Sequence, residues 1–269
     1  MTRASATSRK RWLRGADPST GRPRIVCCPH SGGTAVYFRS WQELAPAGVS
    51  VLSVQYPGRH DRLAEPYADS IEQIAAALAE EIGRHPAPTV LFGHSMGSSV
   101  AYETARLLRL AGVPLDGLVV SAHTPPDVPV DSDIHLLPDA EMWQELTKLG
   151  GTEPEILEMV DLREIFTPLV RSDLALDATY LRPAARRSLD VPVVAIAGNQ
   201  DAVAPPSDVR AWSGVTTGRF EMHTFDGDHF YLQQHAAEVV ALAVGLLAGA
   251  SADTGAQPPE SGSTDRGKR

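Results

Sequence analysis

The feature that most narrows what this chain can fold into is the pentapeptide Gly93-His94-Ser95-Met96-Gly97. It lies between the apolar run Val90-Leu91-Phe92 and a helical pattern over residues 98–110. A serine at the third position of G-x-S-x-G, where a strand turns directly into a helix, is the pattern of a nucleophile elbow: a tight, strained turn that lifts the hydroxyl above the end of a sheet. Glycine is needed on both sides because side chains at positions 93 and 97 would strike the neighbouring strand and helix. A bare G-x-S-x-G is a common chance match, so the flanking strand and helix carry the weight. They call for a sheet with helices packed against it.

The rest of the chain supplies such a sheet. Runs of β type at residues 24–28, 50–55, 89–92, 117–121, 191–197 and 219–225 alternate with helical patterns. Their near-continuous hydrophobicity fits parallel strands covered on both faces. Ser70 with Gln73 forms a capping-box pattern, and Ile71, Ile74, Ala75, Leu78 and Ile82 follow at helical spacing. The helix over 98–110 stops at Gly112 and Pro114, and another is predicted over 230–247. Between 124 and 187 the alternation breaks. Pro125, Pro126 and Pro129 open a stretch with helical patterns at 139–149 and 156–180 and no strand between them. One crossover rarely needs more than about sixty residues, so this stretch reads as a helical lid inserted above the sheet. The predicted fold is α/β, of the α/β-hydrolase type: a mostly parallel central sheet, helices on both faces and the lid. One domain is expected over 23–250, with residues 1–22 and 251–269, rich in Ser, Gly, Pro and charge, expected to be disordered.

Composition serves to exclude. Against 24 basic residues stand 33 acidic ones, a net charge of -9, which argues against a nucleic-acid partner. The only cysteines are the neighbours Cys27 and Cys28, poor candidates for a disulfide, and they point to a reducing, cytoplasmic setting. The scattered N-terminal arginines have no apolar stretch behind them, so no secretory signal is read there. The apolar stretch 239–250 is too short to span a bilayer, and no membrane association is expected. No metal-ligand spacing, G-x-G-x-x-G or Walker lysine is found, so neither metal nor cofactor is expected.

A serine hydroxyl is a weak nucleophile near neutral pH, and its use requires a base, an orienting acid and donors for the oxyanion it creates. In this fold the order along the chain is nucleophile, acid, base, with the base on the loop after the last strand. Of the nine histidines, that selects His229 in Asp226-Gly227-Asp228-His229-Phe230; His223 falls in a strand, His235 in a helix, and His94 leaves the elbow in another direction. The acid is assigned to Asp201, in Gly198-Asn199-Gln200-Asp201 beyond a strand end, with Asp127 as the runner-up; Asp226 and Asp228 read as turn residues. The oxyanion donors are then the backbone N–H of Met96, directly after the nucleophile, and that of Ser31 in the glycine-rich loop Pro29-His30-Ser31-Gly32-Gly33.

With these segments in place, the chain resembles the type II thioesterases, stand-alone editing hydrolases of polyketide and nonribosomal peptide synthesis. The resemblance runs from about residue 25 to 247. It rests on Pro29-His30-Ser31-Gly32-Gly33, Tyr56-Pro57-Gly58-Arg59-His60-Asp61-Arg62, Gly93-His94-Ser95-Met96-Gly97, Gly198-Asn199-Gln200-Asp201 and Gly227-Asp228-His229-Phe230. That family usually carries alanine where Ser31 stands, and a backbone donor survives the change. The resemblance implies hydrolysis of acyl thioesters on the phosphopantetheine arm of acyl or peptidyl carrier proteins, with small acyl groups as cargo and a monomeric enzyme. It also raises Arg59 and Arg62 as contacts to an acidic carrier, against a default structural role for their loop. Two rival readings stay open: an oxygen-ester carboxylesterase or lipase, and a carrier-binding module with a vestigial triad. An aspartate-nucleophile relative is disfavoured by serine at the elbow.

Overall fold

A computed structural model of the chain describes residues 11–129, 132–149, 159–182 and 188–253. Among the described residues seven strands form one sheet: β1 (Leu13–Gly15), β2 (Arg24–Cys28), β3 (Ser50–Val54), β4 (Thr89–His94), β5 (Gly117–Ser121), β6 (Val193–Gly198) and β7 (Phe220–Phe225). Their order is β1-β3-β2-β4-β5-β6-β7, with β1 antiparallel to β3 and every other pairing parallel. The period of two along a strand splits its side chains between two cores. In β4, Leu91 enters the core on one face, and Val90 and Phe92 enter the core on the other. Cys27 and Cys28 divide in the same way and are both buried free thiols.

The first face is covered by α2 (Ile71–Arg84) and α3 (Met96–Leu110), which bury Ile71, Ile74, Leu78, Val100, Ala101 and Leu108. Ser70 caps α2 by accepting the Gln73 N–H at 3.1 Å, and Gln73 reaches back to the Asp69 N–H at 2.8 Å. The other face holds the short α1 (Trp41–Leu44) and the C-terminal α7 (Ala236–Asp253), from which Val239, Val240, Ala243 and Leu247 enter the core. A short α6 (Pro206–Val209) lies between β6 and β7. Among the described residues no helix is long and apolar enough to cross a membrane.

The insertion between β5 and β6 contains α4 (Asp139–Leu149) and α5 (Val160–Thr179). They make a small core of their own from Met142, Trp143 and Val170, with Leu146, Phe166 and Leu174 packed against it. Trp143 Nε1–H donates to Thr167 Oγ1 at 2.7 Å, joining the two helices through a buried polar pair. The described part of this insertion holds no element of the central sheet, as the break in alternation predicts.

Two expectations are corrected. Residues 11–22 are not without structure, because β1 pairs with β3 and its backbone is held by α2: the Trp12 N–H donates to Glu81 Oε2 at 2.7 Å, and Gln55 N–H donates to Trp12 O at 2.8 Å. A three-residue strand is too short to show a period, which is why the sequence hides it. Residues 251–253, expected to be disordered with the rest of the C-terminal tail, belong to α7, and residues 1–10 and 254–269 lie outside the described residues. The helix expected from 230 begins at Ala236, after a 3₁₀ turn at Tyr231–Gln233. The loop over 56–62 keeps the structural role expected of it by default, and the alternative of a carrier contact falls, since Arg59 and Arg62 are 3% and 5% exposed. Arg59 is ion-paired with Asp173, and Arg62 is paired with Glu65 and lies 4.3 Å from the Trp12 ring centre.

Candidate active site

Ser95 stands between β4 and α3 with φ 53° and ψ −129°, a left-handed conformation that non-glycine residues avoid. The turn is held from several sides. Ser95 N–H donates to Ser121 O on the neighbouring β5 at 2.8 Å, and Ser98 Oγ lies 3.0 Å from Gly93 O and 3.1 Å from Ser121 O. A Cβ added at Gly93 would run into the Gly97 carbonyl, and one at Gly97 into the Cys28 carbonyl. The glycines are therefore steric requirements of the elbow.

The loops after β6 and β7 bring up the other two groups. Asp201 follows β6 and His229 follows β7, and the two loops are stitched together by Asn199: its Nδ2 donates to Asp226 Oδ1 at 2.7 Å, and its Oδ1 accepts the Gly227 N–H at 3.1 Å. His229 Nδ1 lies 2.8 Å from Asp201 Oδ2, and His229 Nε2 lies 3.1 Å from Ser95 Oγ. A carboxylate can only accept, so it assigns the proton to Nδ1 and leaves the Nε2 lone pair facing the serine hydroxyl. Asp201 Oδ1 accepts two further donors, the N–H groups of Val203 and Ala204 at 2.9 and 3.0 Å. Burial alone would push its pKa up, but the His229 hydrogen bond and charge and these two N–H groups outweigh it and bring the pKa below the ordinary value. Asp201, and not Asp127, receives the imidazole.

Of the remaining histidines near the elbow, His94 turns its Nδ1 to Ser121 Oγ at 2.9 Å, and Ser121 Oγ meets Tyr231 OH at 2.7 Å. Burial, with the charges of His229 and other histidines nearby, lowers the His94 pKa far below the ordinary range. His30 is pushed down to about 3, first by burial and then by the charges of His229 and Arg59. Both rings are thus neutral near physiological pH, and His229 stands in a wall of uncharged rings with Phe230, which meets His30 edge-on at 5.0 Å. His223 and His235 face Glu221 and the Asp226 carbonyl, away from the serine.

Ser95 and His229 open into a cavity of about 560 Å³. Ser31, Gly32 and Gly33 line one side of it, and Trp143, Leu146, Phe166 and Leu174 of the lid line the roof. The Met96 N–H is the first of α3, where helix N–H groups lack intrahelical partners and the helix dipole favours negative charge. The structure brings together the residues that motif and chain order select: Ser95, Asp201 and His229 in one line, with the Ser31–Gly33 loop beside them. Motif and chain order did not anticipate Asn199 as the stitch between loops, nor which lid residues form the roof; the apolar stripe of α4 and α5 was the available signal. A larger cavity, about 880 Å³, lies over the β1 and β3 edge among Arg14, Arg22, Arg39 and Gln42 and contains none of these groups.

Comparison with known proteins agrees in family and fold. The family model described as a thioesterase domain matches residues 23–244. Thioesterase PikA5 of Streptomyces venezuelae is 40% identical over 233 residues, covering 85% of this chain and 82% of that protein. Among solved structures, the type II thioesterase BorB from the borrelidin biosynthetic cluster is 37% identical with a TM-score of 0.78, over 88% of this chain and 97% of BorB. YbtT, a type II thioesterase from the yersiniabactin pathway, is 31% identical with a TM-score of 0.80, over 89% of this chain and 99% of YbtT.

Proposed function

Since this chain belongs to the thioesterase family, in its type II branch on the α/β-hydrolase fold, we propose that it hydrolyses acyl thioesters carried on the phosphopantetheine arm of acyl or peptidyl carrier proteins. In this reading it clears stalled or misloaded units from polyketide and nonribosomal peptide assembly. The observation that carries the reading is the unbroken line Asp201–His229–Ser95 at the floor of a lid-roofed cavity.

The mechanism follows from the atoms in that line. Ser95 Oγ attacks the thioester carbonyl and passes its proton to His229 Nε2, while Asp201 holds the imidazole by Nδ1 and stabilises the imidazolium. The carbonyl oxygen, now negative, is received by the N–H groups of Met96 and Ser31. Collapse expels the pantetheine thiolate, protonated by His229, and leaves an acyl ester on Ser95. Water, deprotonated by His229, repeats the sequence and releases the free acid. A thiolate is a better leaving group than an alkoxide, so the base is asked for less in the first step than an ester would demand. No cofactor enters this scheme.

The same reading has the protein acting as a monomer in a reducing cytoplasm, in keeping with the buried free thiols Cys27 and Cys28. The test is direct: the purified chain is offered one acyl group loaded on a carrier domain, on coenzyme A and as a matched oxygen ester. Specificity constants should rank the carrier thioester first. A preference for the oxygen ester would overturn the proposal, as would near-normal thioesterase activity in Ser95→Ala, for which a loss of at least about 10⁴-fold in kcat is expected.

A further inference from the structure

The lid reaches into the oxyanion loop through a buried acid. Asp173 lies on α5 between the cavity-lining Val170 and Leu174, and is 1% exposed. Its Oδ2 accepts the Gly32 N–H at 2.7 Å. Both of its oxygens also receive the Arg59 guanidinium, Nη1 to Oδ2 at 2.5 Å and Nη2 to Oδ1 at 2.8 Å. Arg59 Nη1 also lies 3.3 Å from Gly33 O, so it grips the same loop by a carbonyl while Asp173 grips it by an N–H. The packing is equally close: Gly32 has φ 76°, and a Cβ there would stand 3.0 Å from Val170 Cγ2 of the same lid helix.

The Gly32 N–H belongs to one of the two peptide planes that meet at the Ser31 Cα. The other carries the Ser31 N–H. With a glycine at 32 the loop has wide conformational freedom, and an acceptor on one plane narrows the rotation available to its neighbour. A buried ion pair is seldom more stabilising than apolar side chains of the same volume, so seating the lid does not by itself explain Arg59 and Asp173. What apolar residues cannot supply is an acceptor for the Gly32 N–H.

We infer that Asp173 is a positioning residue for the oxyanion loop: α5, when seated, locks the peptide between Ser31 and Gly32 so that the Ser31 N–H faces the reacting carbonyl, and Arg59 holds the Asp173 carboxylate in place. Formation of the oxyanion hole is thereby tied to closure of the lid. The inference rests on the thioesterase reading only for the choice of substrate.

Two double variants isolate the acceptor. Arg59→Met with Asp173→Leu removes the ion pair and the acceptor; Arg59→Met with Asp173→Asn removes the same charges but keeps a side-chain oxygen for the Gly32 N–H. Each is assayed for kcat and KM on an acyl N-acetylcysteamine thioester and for inhibition by an acyl trifluoromethyl ketone, whose hemiketal with Ser95 places an oxyanion in the hole. Rates are normalised to the fraction of Ser95 labelled by a fluorophosphonate, so an unfolded fraction does not imitate the effect. In the leucine variant kcat should fall about tenfold to a hundredfold and the inhibition constant should rise by a similar factor, with KM within about threefold of wild type. The asparagine variant should recover most of both losses. Equal kcat and inhibition in the two variants, or a loss confined to KM, would overturn the inference. Should neither double variant fold, Asp173→Leu alone is read by the same inhibitor, and an inhibition constant unchanged from wild type overturns it equally. If the wild type binds the trifluoromethyl ketone but leaves the thioester intact, the functional reading falls while the comparison of variants still stands or fails on the inhibitor.

Discussion

Two buried histidine–carboxylate pairs lie close to the elbow, and only one of them can serve as a base. His229 meets Asp201 on one nitrogen and the Ser95 hydroxyl on the other. His123, just beyond β5, meets Asp177 of the lid helix at 3.1 and 3.2 Å through Nε2, and the Thr124 carbonyl at 2.7 Å through Nδ1. A carboxylate and a carbonyl are both pure acceptors, so His123 satisfies both only with a proton on each nitrogen. Burial disfavours that charge, but the Asp177 charge and hydrogen bond and the Thr124 carbonyl outweigh it, and its pKa is raised. His123 is therefore a closed imidazolium, a structural cation that ties the sheet to the lid. His229 has an acceptor on one side and a hydroxyl on the other, which leaves a lone pair to work with. What separates a base from a brace here is the nature of the second partner, since both rings are buried and both face an acid.

The sharpest break between the pairs is expected from the histidines. His229→Gln should lower kcat by at least about 10⁴-fold, whereas His123→Gln, whose amide still donates to Asp177, should stay within about tenfold of wild type at a temperature well below its Tm. Equal losses would show that the two rings are not divided as described. Next come the acids. Asp201→Asn should cost roughly 10⁴-fold in turnover by favouring the wrong tautomer, with little change in Tm. Asp177→Asn should do the reverse, leaving kcat within a few fold and costing about 3 kcal/mol in urea unfolding, because a buried imidazolium loses its counter-charge.

The pH dependence of that stability gives a smaller and more specific signal. A histidine whose folded pKa is raised contributes stability in full below its ordinary value of about 6.5, and the contribution is lost as pH rises through the folded value. The difference in unfolding free energy between wild type and Asp177→Asn should be largest near about pH 6 and shrink as pH rises. A difference that grows with pH would refute the imidazolium. Smallest of all, Ser99→Ala removes the hydroxyl that lies 3.3 Å from Asp177 Oδ1, and about 1 kcal/mol of stability should go with it, read as a shift in urea midpoint at constant m-value.

The elbow and its two partners were legible because each sits where a local pattern ends: Ser95 at a strand-to-helix turn, Asp201 and His229 in loops beyond apolar runs. Such positions follow from chain order and short-range periodicity, and parallel strands with crossover helices place their C-terminal ends together at one edge of the sheet. The lid was legible as a break in that alternation, and α4 appears over the predicted residues. β1 was not, since three residues hold too little pattern to read and its partners lie in β3 and α2.

The sequence by itself determined the architecture and picked out the serine, aspartate and histidine that the fold brings into one line, because these depend on hydrophobic period, glycine sterics and the order of groups along the chain. The tertiary structure alone decided which charges vanish from the surface. Arg59 and Asp173 are 114 residues apart, and Gly32 and Asp173 are 141 apart, yet they form one buried cluster. Asp173 and Asp177 look in sequence like ordinary polar positions of a helix, and nothing near Arg59 and Arg62 names the partners that bury them. Whether such a group faces water or an opposite charge is fixed by packing between distant elements, and no local pattern records it.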